Sequence, residues 1–248
     1  MSGPLGERLE RAIAALAATG QAPRFWLRDD DATTPTEALD RLLSLSERHA
    51  VPLALAAIPA QAEPILARHL AGRRNVRVLV HGWAHTNHAP SGQKKQELGA
   101  HRPAPIVLGE LAEGLSRIVD MFGDQARPVL VPPWNRVDAS LLPSLPGLGF
   151  AALSVFGPSR PAPLPLVNST VDIIDWHGTR GCRDHADLAA EIAAQLEARL
   201  TDPSLPPVGI LTHHLVHDEA AWSFLERLFA ATTSDDQPTW VSIDTLLA

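Results

Sequence analysis

The chain has 248 residues, of which 45% are hydrophobic and 20% are charged, and its formal net charge is −7. This composition predicts a globular protein with a sizeable core and excludes an intrinsically disordered chain. The negative charge argues against a nucleic-acid-binding protein, which needs clustered lysine and arginine. The sequence has no apolar run long enough to span a membrane, and its N-terminus lacks a signal-peptide pattern. We therefore expect a cytoplasmic protein with no nucleic-acid or membrane partner.

Cys182 is the only cysteine, and the chain contains no tyrosine. An intrachain disulfide and a cysteine-rich metal site are therefore excluded. No phenol is present that could act as a catalytic acid.

Predicted strands and helices alternate along the chain. An extra amphipathic helix at about residues 5–20 comes first. Apolar segments predict strands at 24–28, 53–58, 78–80, 129–131, 150–155, 171–174, 208–212 and 240–243. Helical periodicity predicts helices at 37–49, 65–71, 111–122, 187–200 and 222–229. Because such alternation is typical of a mostly parallel sheet, we predict one α/β domain, residues 1–248, with a barrel-like fold.

Polar residues follow several of the predicted strands at the point where each strand ends. They are Asp29–Asp31, His81 with His85, 133–136, 175–177, and His213 with His214. A single aspartate at a strand end is often only a helix N-cap. The carboxyl ends of barrel strands, however, lie on one face, where the chemistry of such barrels gathers. Five clusters at the same end therefore favour a functional site.

Two histidines carry the clearest signal in the sequence. His81 directly follows the apolar run Val78–Val80, and His85 comes four residues later. This spacing presents two imidazoles at the tip of a buried strand, and zinc sites favour such ligands. The pattern predicts a divalent metal site if another strand supplies a carboxylate.

Five segments occur in order at these strand ends: Arg28–Asp31, His81–His85, Pro132–Trp134, Asp172–Trp176 and Leu211–His213. In this order they resemble the motifs of the polysaccharide deacetylases, which are the NodB-homology or family-4 carbohydrate esterases. The residues within the motifs are closer to those of a divergent branch of that superfamily. The resemblance covers roughly residues 24–215 and implies a single-domain distorted (β/α) barrel of about seven strands.

The resemblance also implies hydrolysis of an N-acyl amide, N-acetyl foremost, in a sugar-derived or small substrate. It implies one divalent metal, zinc first and cobalt, nickel or iron next, with Asp31, His81 and His85 as ligands. Water activated at the metal is the implied nucleophile, with Asp30 as base and His213 as acid. A competing register of the acidic run makes Asp29 the base and Asp30 the ligand.

The sequence departs from the family pattern at its third motif. The family usually has an arginine two residues before the proline of that motif, where it orients the catalytic aspartate, and Val131 occupies this place. We hypothesise that Arg28 or Arg136 supplies the missing cation. The departure leaves the metal site intact but weakens the expectation of a sugar polymer as substrate.

The predicted substrate-binding residues lie beside these motifs. They are Trp134, Asn135, Arg136, Asp175, Trp176, Arg28, His214 and His88. His88 and His214 are alternatively metal ligands, and the two tryptophans are alternatively core residues. The long loop 89–105 is either an active-site lid or a solvated loop.

Two other functions remain open from the sequence. The first is a non-catalytic barrel that binds a ligand and has lost turnover, and the missing motif-three arginine supports it. The second is an iron oxygenase with the same two-histidine, one-carboxylate ligand set. The sequence leaves the oligomeric state open, and the expected partner is a small-molecule or saccharide substrate.

Overall fold

A curled sheet of seven parallel strands forms the centre of the computed structural model, which describes residues 5–233 and 239–248. The strands are β1 (Phe25–Ala32), β2 (Leu53–Ala57), β3 (Val76–His81), β4 (Ala126–Val131), β5 (Ala152–Leu153), β6 (Val171–Asp172) and β7 (Val208–Thr212). Their order across the sheet is β5-β4-β3-β2-β1-β7-β6. This architecture confirms the predicted (β/α) barrel fold of about seven strands.

The outer face of the sheet is covered by helices α1 (Glu7–Ala18), α2 (Glu37–Arg48), α3 (Pro64–Leu70), α4 (Ala104–Phe122), α5 (His185–Thr201) and α6 (Glu219–Thr232). Helix α7 (Ile243–Leu247) instead packs against the apolar cluster on the other face of the sheet. Helix α1 is the extra N-terminal helix that the sequence predicts, and it packs against α5. Residues 1–4 and 234–238, which belong to the predicted domain 1–248, lie outside the described part of the chain.

The segment between β5 and β6 links the two edges of the sheet. On one side the Val167 amide donates to the carbonyl of Leu153 at 2.9 Å. On the other side the Thr170 amide donates to the carbonyl of Gly209 at 2.8 Å. A Cβ atom at Gly209 would overlap the carbonyl of Asn168, so a residue without a side chain is needed there.

Two apolar clusters lie on opposite faces of the sheet. The larger cluster packs the outer face, including Phe25 and Leu27 of β1, against the helices. The smaller cluster fills the barrel interior with Trp26 and with short side chains such as Ala54 and Ala56. Because side chains alternate along a strand, successive residues of β1 belong to different clusters. The short interior side chains leave room for polar groups near the carboxyl ends of the strands.

Two strand predictions require correction. The segment 240–243 makes only an isolated parallel bridge, from Trp240 to Phe25, and helix α7 begins at Ile243. Apolar side chains at 241 and 243 were read as strand residues, but they pack into the barrel interior from a loop and from a helix. The acidic run was placed after the first strand, whereas β1 continues through it to Ala32.

Candidate active site

Three consecutive aspartates at the end of β1 point in three directions. Asp29 points to the helix-covered face, where it contacts Thr212 of β7. Asp30 points into the barrel interior. Asp31 has a φ angle of 75°, in the left-handed region, which breaks the alternation of the strand. The backbone at Asp31 therefore turns its carboxylate towards the mouth of the barrel.

Asp31 lies beside the two histidines of the third strand and its following loop. Its Oδ1 atom is 3.0 Å from Nε2 of His81 and 3.3 Å from Nε2 of His85. One potential ligand atom from each residue lies within 4.8 Å of the other two. Within the described ranges, this is the only group of three such side chains with metal-binding spacing.

The hydrogen bonding of His81 suits a metal ligand. Its Nδ1 atom lies 2.9 Å from the carbonyl of Val131, which can only accept a hydrogen bond. A neutral His81 therefore carries its proton on Nδ1 and directs the lone pair of Nε2 at the Asp31 carboxylate. Two such acceptors at 3.0 Å repel each other unless a proton or a cation lies between them. The donor set, two imidazoles and one carboxylate, fits zinc or a similar divalent ion.

In the absence of a metal, attraction between the carboxylate and the imidazoles stabilises the group of Asp31, His81 and His85. Burial opposes the charge on Asp31, but its hydrogen bond to His81 and the nearby histidine charges outweigh this effect and lower its pKa. Burial likewise disfavours a charged His81, but the carboxylates of Asp31 and Asp30 outweigh it and raise the pKa of this imidazole. Burial and the charge of His81 lower the pKa of His85.

Asp30 forms a buried ion pair with Arg28 of the same strand. The Arg28 Nε atom lies 2.9 Å from Oδ1 of Asp30, and Nη2 donates to Oδ2 at 3.0 Å. The side chains are 0% and 2% exposed. The guanidinium also donates to Ser154 and to Asn135, at 2.8 Å each. Arg28 thus places a cation on Asp30 from inside the barrel, which Val131 at the third motif cannot do.

His213 directly follows β7, the strand that pairs with β1 in the sheet. Its Nε2 atom is 3.9 Å from Oδ2 of Asp30. Its ring packs edge-to-face against Trp176, with centroids 4.7 Å apart. The Nδ1 atom is buried and has no hydrogen-bond partner among the described residues. The tryptophan therefore holds a nearly buried imidazole close to the interior carboxylate.

Asp29 belongs to a separate cluster behind the strand. Its carboxylate accepts from the hydroxyl of Thr212 at 2.6 Å and from the backbone amide of His214 at 2.9 Å. The Nδ1 atom of His214 lies 2.5 Å from Oδ1 of Asp29. Burial opposes the charge on Asp29, but His214 outweighs it and lowers the aspartate pKa. This geometry favours Asp30 and Asp31 over the competing register with Asp29 as base.

Glu97, which the sequence analysis did not single out, holds the loop that carries His85. Its carboxylate is buried and accepts backbone hydrogen bonds from Trp83, Ala84 and Thr86, at 3.0, 2.9 and 3.1 Å. The loop 89–105 is thus anchored at the site through this residue. The only sequence feature that could have suggested this anchoring role is the position of Glu97 after the histidine motif, because the loop 89–105 shows no periodic pattern.

The backbone of the site is strained at several positions. Six non-glycine residues in the described part of the chain have a positive φ angle, and five of them line one cavity. These five are Asp31, His85, Trp134, Asn135 and Arg180, and the sixth is Ala50. Each such conformation costs roughly 1–3 kcal/mol and tends to occur where function requires it. The concentration of strain supports a functional site.

The cavity has a volume of about 830 Å³ and opens at the carboxyl ends of the strands. The predicted catalytic and metal residues line it together: Asp30, Asp31, His81, His85 and His213. Of the predicted substrate-binding residues, Trp134, Asn135, Arg136, Asp175 and Trp176 also line it. Both tryptophans are half-buried and border the cavity, which favours the groove over the core alternative.

Three predicted substrate-binding residues require correction. Arg28 and His214 are 0% and 1% exposed, and each is committed to a neighbouring aspartate, so neither can reach a substrate. His88 is half-buried and lies outside the cavity lining. His214 pairs with Asp29, and His88 lies outside the metal-binding group.

The sequence analysis also missed one cavity residue on β6. Asp172 accepts a hydrogen bond from the indole of Trp176 at 2.8 Å and from the amide of Ile174 at 3.0 Å. Burial raises the pKa of Asp172. Its position in the fourth motif was the available signal, but the following Asp175 was chosen instead.

Comparison with solved structures shows which proteins share this fold. A Mycobacterium smegmatis protein assigned as a polysaccharide deacetylase superimposes with a TM-score of 0.66 at 15% identity, covering 90% of this chain and 88% of that one. The family 4 carbohydrate esterase from Streptomyces lividans, solved with acetate, gives 0.53 at 16% identity over 89% and 97%. A CE4-family pseudoenzyme from Bacillus anthracis gives 0.56 at 17% identity over 92% and 66%.

No protein-family model matches the sequence, and no curated protein matches it. The structural likeness nevertheless confirms the resemblance seen in the five motifs at the level of the fold. The chain has the fold seen in polysaccharide deacetylases and CE4 esterases. None of the helices in the described residues is long and apolar enough to cross a bilayer.

Proposed function

We propose that this chain is a metal-dependent hydrolase that cleaves an N-acyl amide, N-acetyl foremost, of a sugar-derived or small substrate. One observation carries the proposal. A plausible metal-ligand group, a buried carboxylate paired with arginine and a nearly buried histidine all line one cavity in a deacetylase-like fold. The two-histidine, one-aspartate set would hold the metal, zinc foremost. When bound, such an ion polarises the substrate carbonyl and acidifies water.

Asp30 acts as the base in this proposal. Its carboxylate lines the cavity, and Arg28 orients it through contacts of 2.9 and 3.0 Å to its two oxygens. Arg28 is itself fixed by Ser154 and Asn135, so the carboxylate has little freedom to rotate. A fixed, ionised carboxylate can remove a proton from water as the water attacks the carbonyl.

His213 acts as the acid. Its Nε2 atom lies 3.9 Å from Oδ2 of Asp30, which is close enough for both groups to act on the same amide, Asp30 on the attacking water and His213 on the nitrogen. Contact with Trp176 fixes the plane of the ring. A protonated imidazole here can deliver its proton to the nitrogen of the leaving amine, so that a neutral amine departs.

The contact from Arg28 also bears on the alternative of a non-catalytic barrel. That alternative drew its support from Val131 in place of the third-motif arginine. Because Arg28 supplies a cation to Asp30 from the first strand, the departure at Val131 is compensated within the barrel. Because one of the fold neighbours is a pseudoenzyme, an assay of turnover decides between the two alternatives.

The first experiment is elemental analysis of untagged protein beside the His81→Ala variant, followed by assay of acetate release from N-acetyl sugars. We expect about one divalent ion per chain, its loss in the variant, and acetate release that depends on it. A protein that binds metal and sugar but releases no acetate across a broad panel would establish the non-catalytic barrel. Consumption of dioxygen would instead indicate the oxygenase chemistry.

A further inference from the structure

We propose that the cavity selects substrates that carry an anionic group, a carboxylate or a phosphate, and that Arg136, Lys95 and Arg180 recognise it. The inference rests on the proposed function, whose substrate class it narrows. It starts from the distribution of charge around the cavity, which differs from that of the protein as a whole.

The three cations line the cavity and have no carboxylate partner among the described residues. Arg136 donates Nη1 to the carbonyl of Lys95 at 2.8 Å, which leaves its charge uncompensated. The ammonium of Lys95 lies 5.7 Å from the centre of the Trp134 ring, beside the metal-binding histidines. Arg180 lies on the turn after β6 and lines the same cavity.

Hydrogen bonds hold the turn that carries Arg180 in one conformation. The carboxylate of Asp175 accepts from the amides of Gly178 and Thr179, at 2.9 and 3.1 Å. The amide of Arg180 donates to the Asp175 carbonyl at 2.9 Å, and Arg180 itself has a φ angle of 61°. Asp175 therefore serves the turn, and the side chain of Arg180 remains on the cavity.

The acidic groups of the cavity do not cancel these charges. Arg28 compensates Asp30, and the ligand group compensates Asp31. Asp172 accepts from the indole of Trp176 and the amide of Ile174, and Asp175 accepts from two turn amides, so other partners hold both carboxylates. The neighbouring Arg183 is excluded from the cationic set because it pairs with Glu191 at 2.8 Å.

Three uncompensated cations thus border one cavity in a chain whose net charge is −7. The net negative charge of the chain repels anions at long range, so a site that binds an anion needs a local group of cations such as this one. Arginine and lysine are the side chains that bind carboxylates and phosphates. Two half-buried tryptophans complete the cavity with apolar faces that suit a sugar ring.

The test compares three N-acetyl sugars with the metal-loaded enzyme: N-acetylglucosamine, its 6-phosphate and N-acetylmuramic acid. We expect the ratio of kcat/KM for one acidic sugar to kcat/KM for the neutral sugar to be at least about tenfold. The acidic sugar with the higher kcat/KM shows whether the cavity prefers a phosphate or a carboxylate. The ratio should fall at least about tenfold in Arg136→Gln and in Arg180→Gln. The matched control is Arg160→Gln, an exposed arginine outside the cavity, which should keep the wild-type ratio.

Equal turnover of neutral and acidic sugars, or a ratio unchanged in both cavity variants, overturns the inference. If no sugar is hydrolysed, the proposed function fails, and titration calorimetry with N-acetylglucosamine 6-phosphate then decides the inference alone. Binding that weakens at least about tenfold in Arg136→Gln, but not in Arg160→Gln, upholds anion recognition. Absence of binding to the wild-type protein overturns it.

Discussion

Asp29 and Asp30 are neighbours in sequence, yet they belong to two different regions of the molecule. Asp29 faces the helices, where His214 and Thr212 bury it completely. Asp30 faces the barrel interior, where Arg28 pairs with it and the cavity remains open to it. Burial and a basic partner are common to both carboxylates, so they do not by themselves mark Asp30 as the base that we propose. Access to the cavity distinguishes the two.

The largest effect that separates the regions is on turnover. We expect Asp30→Asn to lower kcat by about 10²–10⁴-fold, because the amide cannot take a proton, while the metal stays bound. Asp29→Asn should change kcat of the folded enzyme by no more than a few-fold. Acetate release and elemental analysis of both variants measure this difference. Metal loss in Asp30→Asn, with metal retained in Asp31→Ala, would reverse the assigned register.

The second effect concerns the buried ion pair. Arg28→Gln should lower the free energy of unfolding by about 3–5 kcal/mol, because it leaves the Asp30 carboxylate buried without its cation. The matched control is Arg41→Gln, which breaks an exposed ion pair with Glu219 and should cost about 1 kcal/mol or less. Urea denaturation of the three proteins measures both. Equal costs would mean that the interior pair is not buried in solution.

The third effect is on metal affinity and tests the loop beside Asp31. Glu97→Gln should weaken metal binding by about 10–100-fold, because the loop that carries His85 loses backbone acceptors. Glu110→Gln is the control, since Glu110 pairs with Arg102 away from the ligands. Competition with a chelator measures affinity, and the melting temperature without metal reports any purely structural effect. An unchanged affinity would show that His85 does not depend on Glu97.

The smallest predicted effect is on how the free energy of unfolding depends on pH, and it tests the helix-covered side of β1. Burial lowers the pKa of His217 to about 4, and both of its ring nitrogens lack partners among the described residues. Its ring packs on Trp222, with His214, Asp29, His213 and Asp218 as the charged neighbours. The unfolded chain takes up a proton at about pH 6.5 and the folded protein only near pH 4, so stability falls through this window.

The loss on acidification should amount to at most about 3 kcal/mol, and His217→Phe should remove it. Denaturant unfolding between pH 7 and pH 4 measures the difference between the two proteins. The other titrating groups are common to both, so their contributions cancel in that difference. Identical pH profiles would show that His217 is solvated or hydrogen-bonded in solution.

Local patterns in the sequence predicted most of the helices and strands, and they singled out most of the candidate residues that line the cavity. The helix at Glu7–Ala18, the parallel strands and the histidine motif all follow from periodicity and from polar residues at strand ends. These signals are short-range, because they depend on how a residue fits its own strand or helix. The prediction of a strand at 240–243 was wrong for the same reason, because the apolar residues there pack into the barrel without forming a strand.

The partners of the three aspartates could only be decided by the tertiary structure. Sequence spacing left the register of Asp29, Asp30 and Asp31 open, because the positive φ angle at Asp31 is not encoded by any glycine there. The cation on Asp30 was likewise undecided between Arg28 and Arg136. Side-chain alternation along β1 puts Arg28 and Asp30 on one face, whereas Arg136 reaches the carbonyl of Lys95.

Local sequence patterns therefore predicted the order of the motifs along the chain, the residue types of the candidate metal and proton-transfer groups, and the deacetylase-like barrel. The tertiary structure decided which carboxylate faces the cavity, which arginine accompanies it and which loop residue supports the second histidine. The physical reason is distance along the chain. Glu97 is 12 residues from His85, and Asp29 meets His214 only because β1 and β7 are adjacent in the sheet. Contacts between such separated residues depend on sheet order and side-chain direction, which no local pattern specifies.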